Sequence, residues 1–599
     1  MKRIPVETLN IDCDILVLGG GLGGVAAAVT AARAGYKVCL TEENPWLGGQ
    51  CTSQGVSAPD EHQYIETFGG TALYYEFRNR IRSYYSDQFE LSAKARSTPF
   101  LNPGAGWVSR LCFQPEAGLS AILHMIFPEV EAGRLQIFYH ARVASAQVAG
   151  DRIQSVTAAQ PDYDRDLCFR AAYYLDATEL GDLLPHLGIP YVTGAESKDE
   201  TGEPDARDDS PAPELVQTFT YPFVVDFRPG ENHTIPEPPD YAYNRDHQPY
   251  TLTLRYGSRD LTYKVFEEVA DLPGPFWTYR RILAADNFSP DQVAGDLAMI
   301  NWSGNDFKGG NIIDKPPAEQ AALLQRAKNL SLGLLYWLQT EVPRDDGQGH
   351  GYPELRLRPD ILGTADGLSQ YPYVRESRRI VARKTVLEQE LLARFQPGAR
   401  AAHFADSVGL GLYPIDIHGV PGDVAATGPT KPFQIPLGAL IPQHLTNLLP
   451  ACKNIGVTHM TNGCYRLHPV EWNIGESAAA LAAFCLGQQQ APAAVLDNPE
   501  LLRTFQQQLL RQGGPLYWYE DLPLDHPASA AAQFLATTGV WPGTDDHLRF
   551  APEAILAGEE IRQKLQAAQL NIELAGSDPL PRGDLARLIA AEKYDLKGS

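Results

Sequence analysis

Some residues stand in settings that could do chemistry. His62 closes Asp60-Glu-His62, His418 follows Asp416-Ile, His459 sits in Val457-Thr-His459, and His468 lies beside Arg466 in Arg466-Leu-His468. An imidazole titrates near neutrality, so each is a candidate general acid or base. Taken singly, each is also a common structural hydrogen-bonder. Arg110 and Arg375 could clamp a carboxylate, because a guanidinium holds one bidentately. An internal salt bridge of Arg375 with Glu376 or Asp406 would serve that arginine equally well. Trp107, Tyr279 and Trp302 could wall a flat or apolar substrate, or pack a core. Cys51, in Leu47-Gly-Gly-Gln-Cys51, is open to three readings: a packing residue, a contact to substrate or cofactor, or a covalent anchor.

These residues need a scaffold, and the N-terminal part of the chain supplies its clearest piece. Asp14-Ile-Leu-Val-Leu18 is a short apolar run of the kind buried in parallel sheets. Gly19-Gly20-Gly21-Leu22-Gly23-Gly24 follows and satisfies GxGxxG; a small-residue helix then runs to Gly35, and Lys37–Thr41 is a second apolar strand. Glu42 closes the unit, with Glu43 beside it. Gly19 suits the tight turn, Gly21 the backbone's approach to a pyrophosphate, and Gly24 close packing of helix on strand. The helix start at Leu22 offers free N–H groups to phosphates, and Glu42 can accept from ribose hydroxyls. Strand, turn, helix, strand and acid in register predict a Rossmann-like dinucleotide site.

Further stretches favour FAD over NAD. Gly48-Gly49, followed by Gln50 and Cys51, comes where a flavin's phosphate and ring would pass. Leu175-Asp-Ala-Thr-Glu-Leu-Gly-Asp182 is similar to the strand-end motif that returns to the nucleotide in two-dinucleotide-fold flavoproteins, placing Ala177 and Thr178 near it. Val143, in the strand-rich run from Arg134 to Asp176, joins this cofactor set. Pro469-Val-Glu-Trp-Asn-Ile-Gly475-Glu476 leads into SAAALAAFCLG. A helix opening at Gly475 and Glu476 could aim its N-terminus at the flavin pyrimidine edge.

With these residues in view, the chain resembles the FAD-dependent oxidoreductase family, whose generic description also takes in xanthan-lyase-like proteins. The matching stretches include Trp46–Val56, Asn102–Arg110, Asp176–Asp182, Arg375–Arg379, Asp406–His418, Lys431–Pro436, Val457–His459 and Arg466–Pro469. The resemblance spans residues 12 to about 490. It implies an α/β fold: a glutathione-reductase-type FAD domain built from both ends of that segment, with an inserted α+β cap over the substrate. It also implies that His62, His418, His459 and His468 lie where the chain returns to the flavin. At Cys51 the family's usual residue is apolar, so a thiol there is a departure. No second strand–GxGxxG–helix unit follows, so no dedicated NAD(P)H domain is expected.

Domain boundaries are expected at about 215, 360 and 490. The FAD domain takes 1–215 and 361–490, the cap 216–360, and a helical extension 491–599. The polar run ESKDETGEPDARDDSPAP marks the first boundary. Residues 521–565 resemble one S-layer homology module, expected here as a packing or oligomerisation appendage, with cell-wall polymer as a lesser option. Lysine and arginine total 50 against 73 aspartates and glutamates, a net charge of −23. That balance argues against nucleic acid or anionic lipid as the main partner. The eight cysteines are scattered without CxxC, which predicts neither a metal site nor a disulfide framework. Lys2 and Arg3 precede Asp12 and Asp14 without an apolar leader, so a cytoplasmic location is expected. The function expected is oxidation of a small polar metabolite, an amine or a hydroxy compound of a biosynthetic pathway. Hydride would pass to flavin N5, and electrons would leave to oxygen or a separate acceptor. Flavin monooxygenation and a non-catalytic, wall-associated flavin-binding protein are the alternatives.

Overall fold

A computed structural model of the chain describes residues 7–256, 259–420, 423, 427–572 and 579–596. Lys2 and Arg3, and the outer ends of the expected first and last domains, lie outside the described residues.

The chain opens with β1 (Glu7–Leu18), α1 (Leu22–Arg33) and β2 (Val38–Glu42). β1 changes character along its length: its first half is exposed or half-buried, while Ile15–Leu18 is fully buried. Where the strand is buried on both faces it reads as a continuous apolar run, as parallel strands do. β3 (Leu135–Tyr139), β4 (Arg142–Ala149), β5 (Arg152–Gln160) and β6 (Arg165–Asp176) complete the order β3-β2-β1-β6-β5-β4. The β3, β2, β1 and β6 neighbours are parallel; β4 and β5 add an antiparallel ribbon. A late strand, Leu448–Pro450, pairs parallel with the last residues of β6. The sheet is thus closed by chain from both ends of the molecule, and its core holds Ile15, Val17, Leu40, Leu449 and Ala451.

The helix His468–Gln488 crosses α1, and the crossing is set by glycine. A Cβ on Gly475 would meet the Gly23 carbonyl oxygen at 1.9 Å. Gly475 and Glu476 therefore do not open this helix. It begins at His468 with Pro469 in its first turn, a position that suits proline because no N–H is needed there. Gly475 lies about two turns inside it and serves helix–helix packing.

A second core covers the first. Arg281–Leu283, Leu297–Ile300, Phe223–Phe227 and Leu355–Leu357 form an antiparallel sheet, and the helix Pro317–Thr340 packs into the same core through Leu330, Leu334 and Leu338. The stretch VQTFTYPFVVDF makes two strands, Phe219–Thr220 and Phe223–Phe227, because Tyr221-Pro222 interrupts it.

Residues 521–565 hold the helix Ser529–Thr537 and most of the helix Gly558–Ala567, and Arg582–Tyr594 follows. Phe534, Leu535, Ile561 and Leu585 join the same core as the sheet. Among the described residues, no helix is long and apolar enough to cross a membrane, and no cluster of histidine, cysteine, aspartate or glutamate is set to hold a metal ion.

Candidate functional site: two adjoining cavities

At the C-terminal end of β1 the chain turns at Gly19, whose φ of +94° favours glycine. A Cβ there would lie 2.4 Å from the Ala177 carbonyl oxygen, and one on Gly24 would lie 1.9 Å from that of Gly19. This is close packing of strand, helix and the β6 exit. A cavity of about 320 Å³ opens on this turn, lined among others by Gly19, Gly21, Glu42, Glu43, Gly49, Val143, Ala177 and Thr178. Leu22 begins α1 behind it. Gly48, at φ +106°, donates its N–H to the Gly20 carbonyl at 2.7 Å, which folds the 48–55 turn onto the nucleotide loop.

Glu42 is partly spoken for: its carboxylate accepts from Gly20 N at 2.8 Å and from Asn44 N at 2.7 Å. Burial raises its pKa to about 7. Glu43 pairs with Arg142 at 3.1 Å. Beside the Gly21 and Gly49 backbone lies a buried network that sequence reading did not single out. Lys453 Nζ donates to Glu179 Oε2 at 2.6 Å and stands 3.6 Å from Glu471, which accepts from Gln50 Nε2 at 2.5 Å. A lysine between an apolar strand and a helix offers no spacing signal.

The residues present fit a flavin dinucleotide. The cavity sits on the N-terminus of α1 with an acid at the end of β2. Gln50 Oε1, Gln54 Oε1 and Ser57 Oγ, on the turn that leads away from it, are buried without a protein partner. Buried polar atoms are normally hydrogen-bonded, and a polar ring system would satisfy these.

A larger cavity, about 860 Å³, lies under the second core. The segment ending in the strand Tyr373–Val374 joins the two. Tyr371 lines the first cavity, and Tyr373 and Arg375 line the second.

Arg280, Arg375 and Arg466 stand on the wall of the second cavity, each less than 7 % exposed. Arg280 donates to Ala58 O at 2.8 Å and to Asp60 at 3.1 Å. Arg466 donates to the Tyr373 hydroxyl at 2.9 Å and to Asp416 O at 3.3 Å. Arg375 pairs with Asp306 at 2.8 Å, not with Glu376 or Asp406. His418 is held from both sides, by Asp306 at its Nδ1 (2.7 Å) and Asp416 at its Nε2 (3.0 Å). Ionised carboxylates only accept, so both ring nitrogens must donate and the ring is an imidazolium. Burial and Arg375 push its pKa down, but Asp416 and Asp306 outweigh them and hold it above the ordinary value. As it stands, His418 is a charged donor rather than a free base.

The other expected residues lie elsewhere. His468 is fully buried and lines neither cavity; its Nδ1 accepts from Asp60 N at 3.1 Å, and burial lowers its pKa to about 4. His62 faces Gly69 and the edge of Trp518, and burial lowers it to about 3. His459 starts the helix His459–Tyr465, fully buried between Glu376 (2.8 Å) and Asp423 (3.3 Å). Those carboxylates overcome the cost of burial and raise its pKa to about 10. Arg110 is exposed on the surface. Glu476 is buried against Trp472 and Thr71. Cys51 is buried in the main core, burial pushing its thiol well up, and it lines neither cavity. Trp302 and Tyr279 do line the second cavity, while Trp107 stacks on Tyr263.

The chain is similar to known proteins over part or nearly all of its length. The chain is 47% identical over 58 residues to the mitochondrial dihydrolipoyl dehydrogenase of Homo sapiens, and 42% identical over 57 residues to that of Rattus norvegicus. The match takes in 9% of this chain and 11% of each relative, so the chain spans about a tenth of the curated relatives it matches. Among solved structures, a geranylgeranyl bacteriochlorophyll reductase-like protein from Thermoplasma acidophilum aligns over 98% of both chains at 10% identity and a TM-score of 0.32. A 3-ketosteroid-delta4-(5alpha)-dehydrogenase from Rhodococcus jostii RHA1 aligns over 28% of this chain and 46% of that one, at 18% identity and a TM-score of 0.18. The profile described as FAD dependent oxidoreductase matches residues 14–509. The chain therefore belongs to the FAD-dependent oxidoreductase family.

Proposed function

We propose that the protein oxidises a small polar metabolite held in the larger cavity, with FAD lying from the first cavity toward the second. The observation that supports this reading is the shared wall: within five residues of chain, Tyr371 lines the first cavity and Tyr373 and Arg375 line the second. In this reading Glu42 meets the ribose, Gly21 and Leu22 the pyrophosphate, and Gly49 to Gln54 the flavin end. The bound flavin supplies a two-electron acceptor for hydride from a C–H bond. Oxygen or a separate acceptor takes the electrons on.

The chain's own part is to orient the substrate and carry away its proton. Arg280 and Arg466 are pre-set by Asp60 and Tyr373 and can hold a polar group without rearranging. Asp416 Oδ2, His418 and Asp306 Oδ2 form one line of hydrogen bonds. Its far end, at His418 and Asp306, opens on an outer hollow of about 250 Å³. A proton received at Asp416 can be matched by one released from His418 Nδ1 to Asp306. Anaerobic addition of substrate candidates to the yellow protein should bleach the flavin absorbance. A flavin that stays oxidised across amines, alcohols and hydroxy acids would remove the reading. Rapid NADPH oxidation coupled to oxygen insertion would replace it with monooxygenation.

A further inference from the structure

The cavity under the second core carries a charge opposite to that of the chain. Arg280, Arg375, Arg466 and Lys308 line it, and the carboxylates on its wall are Asp60 and Asp416, with Asp306 behind Arg375. The His418 imidazolium adds a further positive charge between two of those acids. The net field inside is therefore positive, although the protein as a whole stands at −23.

The arginines also have capacity left over. The Nε of Arg280, Arg375 and Arg466 is in each case buried without a partner, on side chains 6 %, 3 % and 2 % exposed. A buried guanidinium carries a desolvation cost, which an anion bound in the cavity would offset through its charge. Lys308 is exposed at the rim, where it can steer an anion in. Aromatic faces from Tyr279, Trp302 and Tyr413 complete the wall.

We infer that the substrate is a carboxylate anion, bound through its carboxyl group to the guanidinium cluster of Arg280, Arg375 and Arg466. This rests on the reading that the larger cavity is the substrate site, and it adds the substrate's chemical class. Amines without an acid group and neutral alcohols are excluded as substrates by the same field.

The test uses the full-length, FAD-loaded protein and simple probes: benzoate and malonate, their neutral amides, and benzylammonium. Binding is followed by flavin absorbance and, independently, by calorimetry. Benzoate or malonate should bind at least ten-fold more tightly than its amide, and sodium chloride should weaken it. Lys308→Gln, a surface change, should weaken carboxylate binding roughly 3-fold and Arg466→Gln at least 10-fold, while Arg110→Gln leaves it unchanged. Equal binding of acid and amide, tighter binding of benzylammonium, or no carboxylate binding by either method would overturn the inference. A protein that binds carboxylates by calorimetry but never reduces its flavin would instead break the oxidation reading and leave this one standing.

Discussion

The two cavities, the one on the Gly19 turn and the one under the second core, are built by opposite means. The first is made of consecutive backbone: β1, the Gly19 turn, α1 and β2 arrive in order, and glycines bring them into contact. Its charged wall is mostly acid, with Glu42, Glu43, Glu179 and Asp182 against Arg142 and Arg378. Burial holds two of these acids partly neutral, Glu42 at about 7 and Glu43 at about 8. The second is made of side chains gathered from Asp60 to Arg466, and its charged wall is mainly basic, with Arg280, Lys308, Arg375 and Arg466 against Asp60 and Asp416. In one protein of strongly negative charge, a few buried groups therefore decide each local sign, because more distant surface charge is screened within about 8 Å. Backbone geometry carries the first site, and ionic side chains carry the second.

The sharpest way to break this contrast is at Gly24. Gly24→Ala puts a methyl 1.9 Å from the Gly19 carbonyl oxygen and 3.2 Å from the Ala177 Cβ, with no flexible group to yield. We expect a colourless protein, with FAD lost on desalting and stability reduced by several kcal/mol. FAD content and thermal unfolding measure it; a yellow, stable variant would show that the cofactor site does not depend on close helix–strand packing.

Arg466→Gln tests the other side. It removes a charged donor to Tyr373 and Asp416 without touching the glycine frame. Flavin content should be unchanged and kcat/KM should fall by roughly 30- to 150-fold, the effect of about 2–3 kcal/mol from one charge-assisted contact. Loss of FAD together with activity would erase the distinction between the two cavities.

The contrast also explains what the sequence could tell. GxGxxG between apolar strands, with Glu42 in register, is a local pattern, so the β1–α1–β2 unit and its cavity were legible. Arg375 and Arg466 could be picked out as guanidinium residues, but Arg280 meets Asp60 across 220 residues of sequence and Arg466 meets the Tyr373 hydroxyl across 93, which no local pattern shows. Arg110 lies in a stretch as distinctive as theirs and still faces solvent, because a motif does not say which way a side chain points. The helix start at His468 was marked by Pro469, yet Gly475 drew the expectation toward the flavin. A glycine that lets two helices cross looks, in sequence, like one that lets a backbone meet a ligand.

A smaller effect should come from Asp306→Asn. His418 is held above its ordinary pKa by Asp416 and Asp306 against burial and Arg375. A raised histidine keeps its charge at low pH and loses it as pH rises through the folded-state value. With Asp306 neutral, Arg375 faces the ring less well compensated, so the imidazolium should deprotonate at lower pH. The alkaline limb of kcat/KM should move down in pH, with a loss of roughly 3- to 10-fold at pH 8 and little change at pH 6. An unmoved limb would mean that His418 is structural.

The smallest effect on activity is expected at Glu476, where the sequence placed flavin chemistry and the fold places packing. Burial raises this carboxyl to about 7, with the nearby Thr71 and Trp472 offsetting part of the shift. An acid raised on folding stabilises the native state while protonated, and that contribution is lost as pH rises from about 4.5 through 7. Glu476→Gln is neutral at every pH. It should match the parent at pH 5 and exceed it by about 1–3 kcal/mol at pH 8 in denaturant unfolding. The flavin spectrum and kcat/KM should stay within about two-fold of the parent, since the side chain touches Trp472 and Thr71 rather than either cavity. A shifted flavin absorbance would return Glu476 to the cofactor and move the boundary between the two cavities.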